Sequence, residues 1–454
     1  MGLKQSIVRW SHSKTRSVLG VVLLSIVCAL RPVSAAGAGL VCDLSACLDY
    51  ALVSHPSLKL AKAKQSTAET TVSMGQSKFW PTLDVSTHAG VVYGEPASPF
   101  ILARSITVKT VDFFGSYYSL DVEYRHPFYK EGVWFGKDAP SILEAKGALR
   151  ESEYAVMIAR EQLRYEVSEA YFNALKAKEA LQAGEDLLRA RQLDYEAAQK
   201  RFTQRLLTRH DLLLAEVKQK AAQNNLDAAK RAFSLARTNL AFRVGLDPGT
   251  EIEVRPHAMP LSPIPPLDVL TEMAYRERPE IAEQMAAVET TAATLQLAQS
   301  EGLPTLELIS GYSIGDDYDP PGNTSWVTTF QVNLPLQNLY TSRVKRLQAE
   351  TKRLEQDQRR LELRHTVASE VMQAYHEVAK RVDALELAVI QVEQAEQEVA
   401  SVRSKFDAGL ATQPALFEAE YALSEAKKSR TDVQYDQYIA HAKLRKAVGG
   451  AWTP

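Results

Sequence analysis

From Ser342 to Ala408 the chain runs 67 residues without a glycine or a proline. Within that run Leu347, Leu354, Leu361, Ala368, Tyr375, Val382 and Val389 form one row at spacing seven. Val371, Val378, Leu385, Val392, Val399 and Phe406 form a second row, offset by three. Two such rows make a heptad seam, which packs helices side by side. At 1.5 Å per residue the helix would be a rod of roughly 100 Å. A rod of that length needs long neighbours, which excludes an ordinary compact domain. Gly409 is expected to stop the rod as a C-terminal cap does. An antiparallel partner should then run from Thr412 to about Val448.

The same pattern occurs twice. Ala51, Pro56 and Leu58 recur as Ala274, Pro279 and Ile281 at an offset of 223, and so does Pro81-Thr82-Leu83 as Pro304-Thr305-Leu306. Pro127-Phe128 recurs as Pro335-Leu336 at 208. Phe202, Leu206, Thr208, Ala215 and Glu216 recur as Phe406, Leu410, Thr412, Ala419 and Glu420 at 204. Markers kept in order over shrinking offsets identify a duplicated unit with longer connections in the first copy. Each copy reads helix, strand, strand, long helix, turn, helix. The first spans 36–244, with a strand hairpin at about 82–127 and a helical hairpin at about 138–244. Asp138-Ala139-Pro140 reads as that hairpin's helix start. A Pro-rich linker at 245–266 leads to the second copy, 267–448, with hairpins at about 304–335 and 341–448 and a short tail at 449–454.

The segments between the prolines alternate with period two. Tyr118, Leu120, Val122 and Tyr124 face one way, against Ser119, Asp121 and Glu123. Trp326, Thr328, Phe330, Val332 and Leu334 oppose Val327, Thr329, Gln331 and Asn333. Leu83, Val85, Ala89, Val91 and Tyr93 make a third face; Leu306, Leu308, Tyr312 and Ile314 make a fourth. Each segment has the length of a tilted membrane-crossing strand, with Trp80, Tyr93, Tyr117, Tyr118, Tyr312 and Trp326 toward the ends. Four strands cannot close a membrane barrel, since the smallest have about eight. An open edge in lipid costs several kcal/mol per unpaired backbone group. The chain must therefore oligomerise, and three copies would supply twelve strands.

Lys4, Arg9, Lys14 and Arg16 precede an apolar run from Val18 to Leu30, followed by Val33-Ser34-Ala35. This reads as a secretory leader, 1–35, cleaved after Ala35. Its loss, with Arg31, takes the basic count from 53 to 48 against 55 acids, a net of about −7 that invites no nucleic acid. Val27 before Cys28 is not the small residue that lipid attachment wants. No later apolar run is long enough for a transmembrane helix. Gly132 to Lys137 resembles a phosphate loop, but lacks one spacer and the hydroxyl that would hold magnesium. His365 and His376 share a helix face roughly 16 Å apart and cannot ligate one ion. No catalytic constellation, metal site or cofactor is indicated, so the chain does not read as an enzyme.

Together these features resemble the TolC family of efflux and secretion channels. The resemblance spans about Leu44 to Val448. It rests on the Ala-x4-Pro-x-Leu start, the Pro-x-Leu strand openings, the Pro-Phe and Pro-Leu strand ends, the Phe-x-x-Gly-Leu-x-Thr turn and the duplication. It implies a mainly α fold with a small β part. Antiparallel coiled-coil hairpins would form a periplasmic α-barrel, under a homotrimeric twelve-stranded barrel in the outer membrane. Such channels dock with a periplasmic adaptor (membrane fusion protein) and an inner-membrane pump of RND, ABC or MFS type, and pass small molecules or polypeptides out passively. The alternative is a periplasmic coiled-coil adaptor, which would need neither strand hairpins nor duplication.

In that family the periplasmic end is an iris built from the two helix turns. The corresponding adaptor-contacting turns here are Arg205, Leu206 and Thr208, and Gly409, Leu410 and Thr412. Asp211, six after Arg205, and Glu418, nine after Gly409, match acidic gate positions. Arg205 replaces the usual turn glycine, and Ala411 and Ala415 stand where the best-studied type has an arginine and an acid.

Cys42 and Cys47 flank the start of the first helix. In an oxidising compartment two such cysteines can pair. Peptide mapping of periplasmically produced protein without reduction should recover a Cys42–Cys47 bridge worth at most roughly 2 kcal/mol, because the loop is short. Recovery of both as free thiols rejects it.

Overall fold

The structure is a computed structural model. It describes residues 40–92, 100–103, 106–108, 115–247, 249–255, 263–316, 323–335, 339–408, 410–450 and 452. The leader, the Gly409 cap, Tyr93 and the Cys42 side chain, and so the expected bridge, lie outside the described residues or atoms.

The chain opens with β1 (Leu40–Cys42), α1 (Leu44–Ser54) and α2 (Pro56–Ser77). Where the repeat suggested one helix, the structure has two. Pro56 removes an N–H and fits only the first turn of a helix, so α1 stops and α2 starts afresh. His55 caps the new start by accepting from the Ser57 N–H at 3.2 Å. Pro279 divides α5 (Leu267–Glu277) from α6 (Pro279–Ser300) in the same way.

After α2 come β2 (Thr82–Val92), a small hairpin of β3 (Phe100–Ala103) and β4 (Ile106–Val108), then β5 (Gly115–Lys130) and the two-residue β6 (Val133–Trp134). The long helix α3 (Pro140–Thr203) and its return α4 (Arg209–Val244) complete the first copy. β7 (Ile252–Val254) lies within the linker, ahead of α5 and α6. The second copy continues with β8 (Thr305–Asp316), β9 (Asn323–Asn333), α7 (Leu339–Asp407) and α8 (Gln413–Ala447). At 64 and 69 residues, α3 and α7 are each roughly 100 Å long.

The two strand hairpins join into one antiparallel sheet in the order β2-β5-β8-β9. Pairing across the copies runs from Tyr118 opposite Asp316 to Tyr129 opposite Leu306, with an irregularity between Pro127 and Tyr129. Extra residues in the first copy form the β3–β4 hairpin and β6, which pairs with the end of β5.

Two cores sit at matching levels. In the first, Leu163, Val167, Tyr171, Phe172 and Leu175 of α3 pack on Cys47, Leu240, Val244, Ile252 and Val254. In the second, Val367, Val371, Ala374 and Val378 of α7 pack on Leu270, Ala274, Leu444 and Trp452. The Pro-rich linker was expected to be mere connection. Instead β7 pairs in parallel with β1, Leu40 opposite Ile252. The Tyr171 hydroxyl donates to the Arg255 carbonyl at 2.5 Å, and Lys178 to the Val254 carbonyl at 2.7 Å. Gly245 ends α4 at φ 87, where a Cβ would also press on His55 at 3.2 Å.

His441 on α8 is 2% exposed, donates from Nδ1 to the Gln437 carbonyl at 2.9 Å and stacks on Trp452. Burial holds its pKa below the ordinary 6.5, against a smaller upward pull from that carbonyl. The unfolded chain therefore binds the proton more readily. Stability from this site is full above about pH 6.5 and falls as the pH drops below it. Thermal unfolding across a pH series should show that loss, and His441→Phe should flatten it. An unchanged pH slope in the variant would count against this.

Candidate pore surfaces and helical turns

Period-two alternation gives the sheet two unlike faces. Leu83, Val85, Leu120, Tyr124, Tyr312, Trp326, Phe330 and Val332 are exposed on one of them. The other carries Asp84, His88, Ser119, Asp121, Glu123, Arg125 and Glu307. There Arg125 meets Glu123 at 2.5 Å and Glu307 at 3.9 Å. Asp121 accepts from Ser119 at 2.8 Å and faces His88 at 3.3 Å. Among the described residues no helix is long and apolar enough to cross a membrane. The sheet presents an apolar belt on strands of 11 to 16 residues, a membrane-crossing length.

At the opposite end of the hairpins lie the two turns. Arg205 closes the first at φ 63, the left-handed position that glycine normally fills. The Leu206 N–H reaches back to the Arg201 carbonyl at 2.9 Å. Thr208 then caps α4. Its hydroxyl accepts from the Asp211 N–H at 3.2 Å and donates to the Asp211 carboxylate at 2.6 Å; that carboxylate also accepts from the Thr208 N–H at 3.3 Å. Asp211, expected from sequence as a gate acid, is thus also the third residue of a capping box.

The second turn lacks this device. Thr412 occupies the cap position of α8 without a side-chain bond, and Ala415, standing where Asp211 stands in the first copy, has no carboxylate to reciprocate. Leu206 and Leu410 are 73% and 81% exposed, so both tips present a bare leucine.

Glu418 is exposed on α8 beside a cluster the sequence did not single out. Phe417 is buried between two cations. The Arg191 guanidinium lies 5.0 Å from its ring centre and the Lys218 ammonium 4.7 Å. Arg191 is 6% exposed and held by Asp194 at 3.0 Å. Burial, then repulsion from Arg191, holds the Lys218 pKa below its usual range, while Glu418 and Asp194 oppose the shift. This clasp joins α3 and α4 of the first copy to α8 of the second. Phe417 was not singled out in sequence, and its cationic partners lie about 200 residues away.

Phe417→Leu keeps the apolar bulk but removes the ring face. It should cost about 1 kcal/mol and speed amide exchange at the start of α8. Unaltered exchange there would show that the cations do not hold the helix.

Residues 270–450 match the family model described as Outer membrane efflux protein. No curated protein matches the chain. Among solved structures, the fold is similar to the CmeC outer membrane channel of Campylobacter jejuni, with TM-score 0.78 and 17% identity over 90% of this chain and 86% of that one. The outer membrane protein VceC of Vibrio cholerae aligns with TM-score 0.75 and 19% identity over 89% and 96%. The open state of the MtrE outer membrane channel of Neisseria gonorrhoeae aligns with TM-score 0.69 and 18% identity over 89% and 88%. Residues 270–450 thus match the outer membrane efflux protein domain, and the chain shares the fold of outer membrane channels over about nine-tenths of its length.

Proposed function

We propose that this chain is one third of a homotrimeric duct that carries small molecules or polypeptides passively across the periplasm and outer membrane. The carrying observation is a sheet that is apolar on one face, charged on the other and open at both edges. Three such sheets, with β9 of each pairing to β2 of the next, make twelve strands. Their apolar faces meet lipid and their charged faces line water.

The long helices support the same assembly. Val371, Val378 and Val392 are buried within the chain. Of the other heptad row, Leu347, Leu354, Leu361, Val382 and Val389 stay 55%, 65%, 47%, 40% and 49% exposed, while Ala368 and Tyr375 between them are half-buried. Exposed apolar rows on a rod are a contact surface for another rod. In the duct it meets the hairpins of the neighbouring copy. The family match and the fold are those of channels, which sets aside the adaptor reading.

The bare leucines at both turns are the expected contacts for a periplasmic adaptor, which couples the duct to an inner-membrane pump. Three copies of Glu418, and of Asp211, would ring the narrow end with carboxylates. Such rings attract cations and repel anions.

Mass measurement in detergent should give a trimer; a stable folded monomer overturns the assembly. In planar-bilayer recordings, Glu418→Ala and Asp211→Asn should each lower cation selectivity and weaken block by polyvalent cations. Asn at 211 keeps an acceptor for the capping box, so folding should change by no more than about 0.5 kcal/mol. If the double variant conducts and blocks like the parent, these acids do not form the gate.

A further inference from the structure

Where β5 leaves the sheet toward α3, the first copy inserts a short rigid hairpin. Glu131, Phe135 and Asp138 adopt φ of 56, 52 and 56, left-handed values that cost non-glycine residues of order 1 kcal/mol or more each. The loop is held in that shape. The Glu131 carboxylate accepts from the Ser141 N–H at 3.1 Å, and the Phe135 N–H donates to the Phe128 carbonyl at 2.8 Å. Gly136 lies so close to Phe79 that a Cβ would fall 2.3 Å from its ring.

What the strain achieves is to hold two large rings outward. Trp134 and Phe135 are 58% and 60% exposed. Trp134 lies opposite Tyr129 at 5.1 Å, and Phe135 packs edge-on to Phe128 at 5.3 Å. Phe128 in turn lies 6.1 Å from Phe330, so the hairpin extends the apolar face of the sheet at its helical end. Beside it is a recess of about 390 Å³ lined by Gln76, Trp80, His126, Phe135, Asp138 and Lys146. The Nδ1 of His126 is screened there, without a hydrogen-bond partner among the described residues. Lys146 lines the recess and is exposed, and Lys78 and Lys137, each next in sequence to a lining residue, are exposed as well. Asp138 is the acid that lines the recess, while Glu131 is bonded to α3.

We propose that this aromatic hairpin and its lysine-rimmed recess bind an anionic phospholipid of the periplasm-facing leaflet, fixing the depth at which the barrel sits. The inference rests on the channel reading of the sheet. Trp and Phe rings settle at the headgroup level, with the acyl chains continuing along Phe330 and Tyr124. The lysines face the phosphate from the aqueous side, and His126 offers a polar atom at the depth of the ester groups.

The test uses the full chain in vesicles of phosphatidylethanolamine and phosphatidylglycerol brominated near the headgroup. Trp134→Phe should remove part of the quenchable tryptophan emission, as Trp326→Phe should on β9. If only Trp326→Phe does so, the barrel is in lipid but the hairpin is covered, for example by the next copy, and the proposal falls. If neither does, the channel reading falls with it. Native mass spectrometry should show phosphatidylglycerol retained by the parent, and retained about fivefold less for each lysine lost in Lys137→Ala and Lys146→Ala. Undiminished retention in the double variant overturns the headgroup site.

Discussion

The outer edges of β2 and β9 end the sheet in rows of backbone N–H and C=O groups that no other strand in the described chain pairs. In water such edges are tolerated; in a bilayer each orphan group costs several kcal/mol. That single penalty dictates the rest of the design. In the proposed trimer it would force closure with other copies, and closure would fix which face of the sheet meets lipid. It would also place the three pairs of helical hairpins in a ring, because each hairpin hangs from a strand end through a short connection. The exposed heptad row of α7 is the periplasmic counterpart of the open strand edge. One is a row of unpaired polar groups and the other a row of exposed apolar side chains, and in the proposed trimer the same neighbour would satisfy both.

Much of this was legible in sequence because the signals are local and periodic. Spacing of seven revealed α7, and alternation revealed the four long strands. Pro56 and Pro279 were read as repeat markers, yet their physical effect, splitting each opening helix in two, was missed. The β1–β7 pair was missed for a different reason. Two three-residue strands about 200 residues apart carry no period, and only packing against Tyr171 and Lys178 makes them pair. At the turns, the Thr208 to Asp211 spacing is a capping signature plainly present in the chain. It was read for charge and not for hydrogen bonding. The Phe417 clasp could not be read at all, since nothing in a single sequence says which cation meets which ring across helices.

The two halves differ most at the strand connection, after β5 and at the helical turns. The first copy has the longer strand connection, the aromatic hairpin after β5 and a turn locked by Arg205 and the Thr208 capping box. Each is a local device, made of residues within about ten positions of one another. The second copy has dispensed with them at its turn: Ala415 cannot complete a box, and Thr412 caps nothing with its side chain. Its return helix is held instead by a tertiary contact, through Phe417 between Arg191 and Lys218.

Local and tertiary restraints fail differently. A capping box adds about 1 kcal/mol to its own helix start and says nothing about where that helix lies. A ring held between two cations fixes position, and lets go as a unit once the ring withdraws. The charges around the clasp sharpen that contrast. Arg191 and Lys218 repel each other across the Phe417 face, and Glu418 and Asp194 offset the repulsion. Phe417 and Glu418 are adjacent on α8, so any displacement of that helix removes the ring and one neutralising carboxylate together. The two cations are then left facing each other in a partly buried site, which makes displacement costly and favours the clasped position. The first hairpin is held by local bonds at its own turn, and the second by a contact that fixes where its return helix lies.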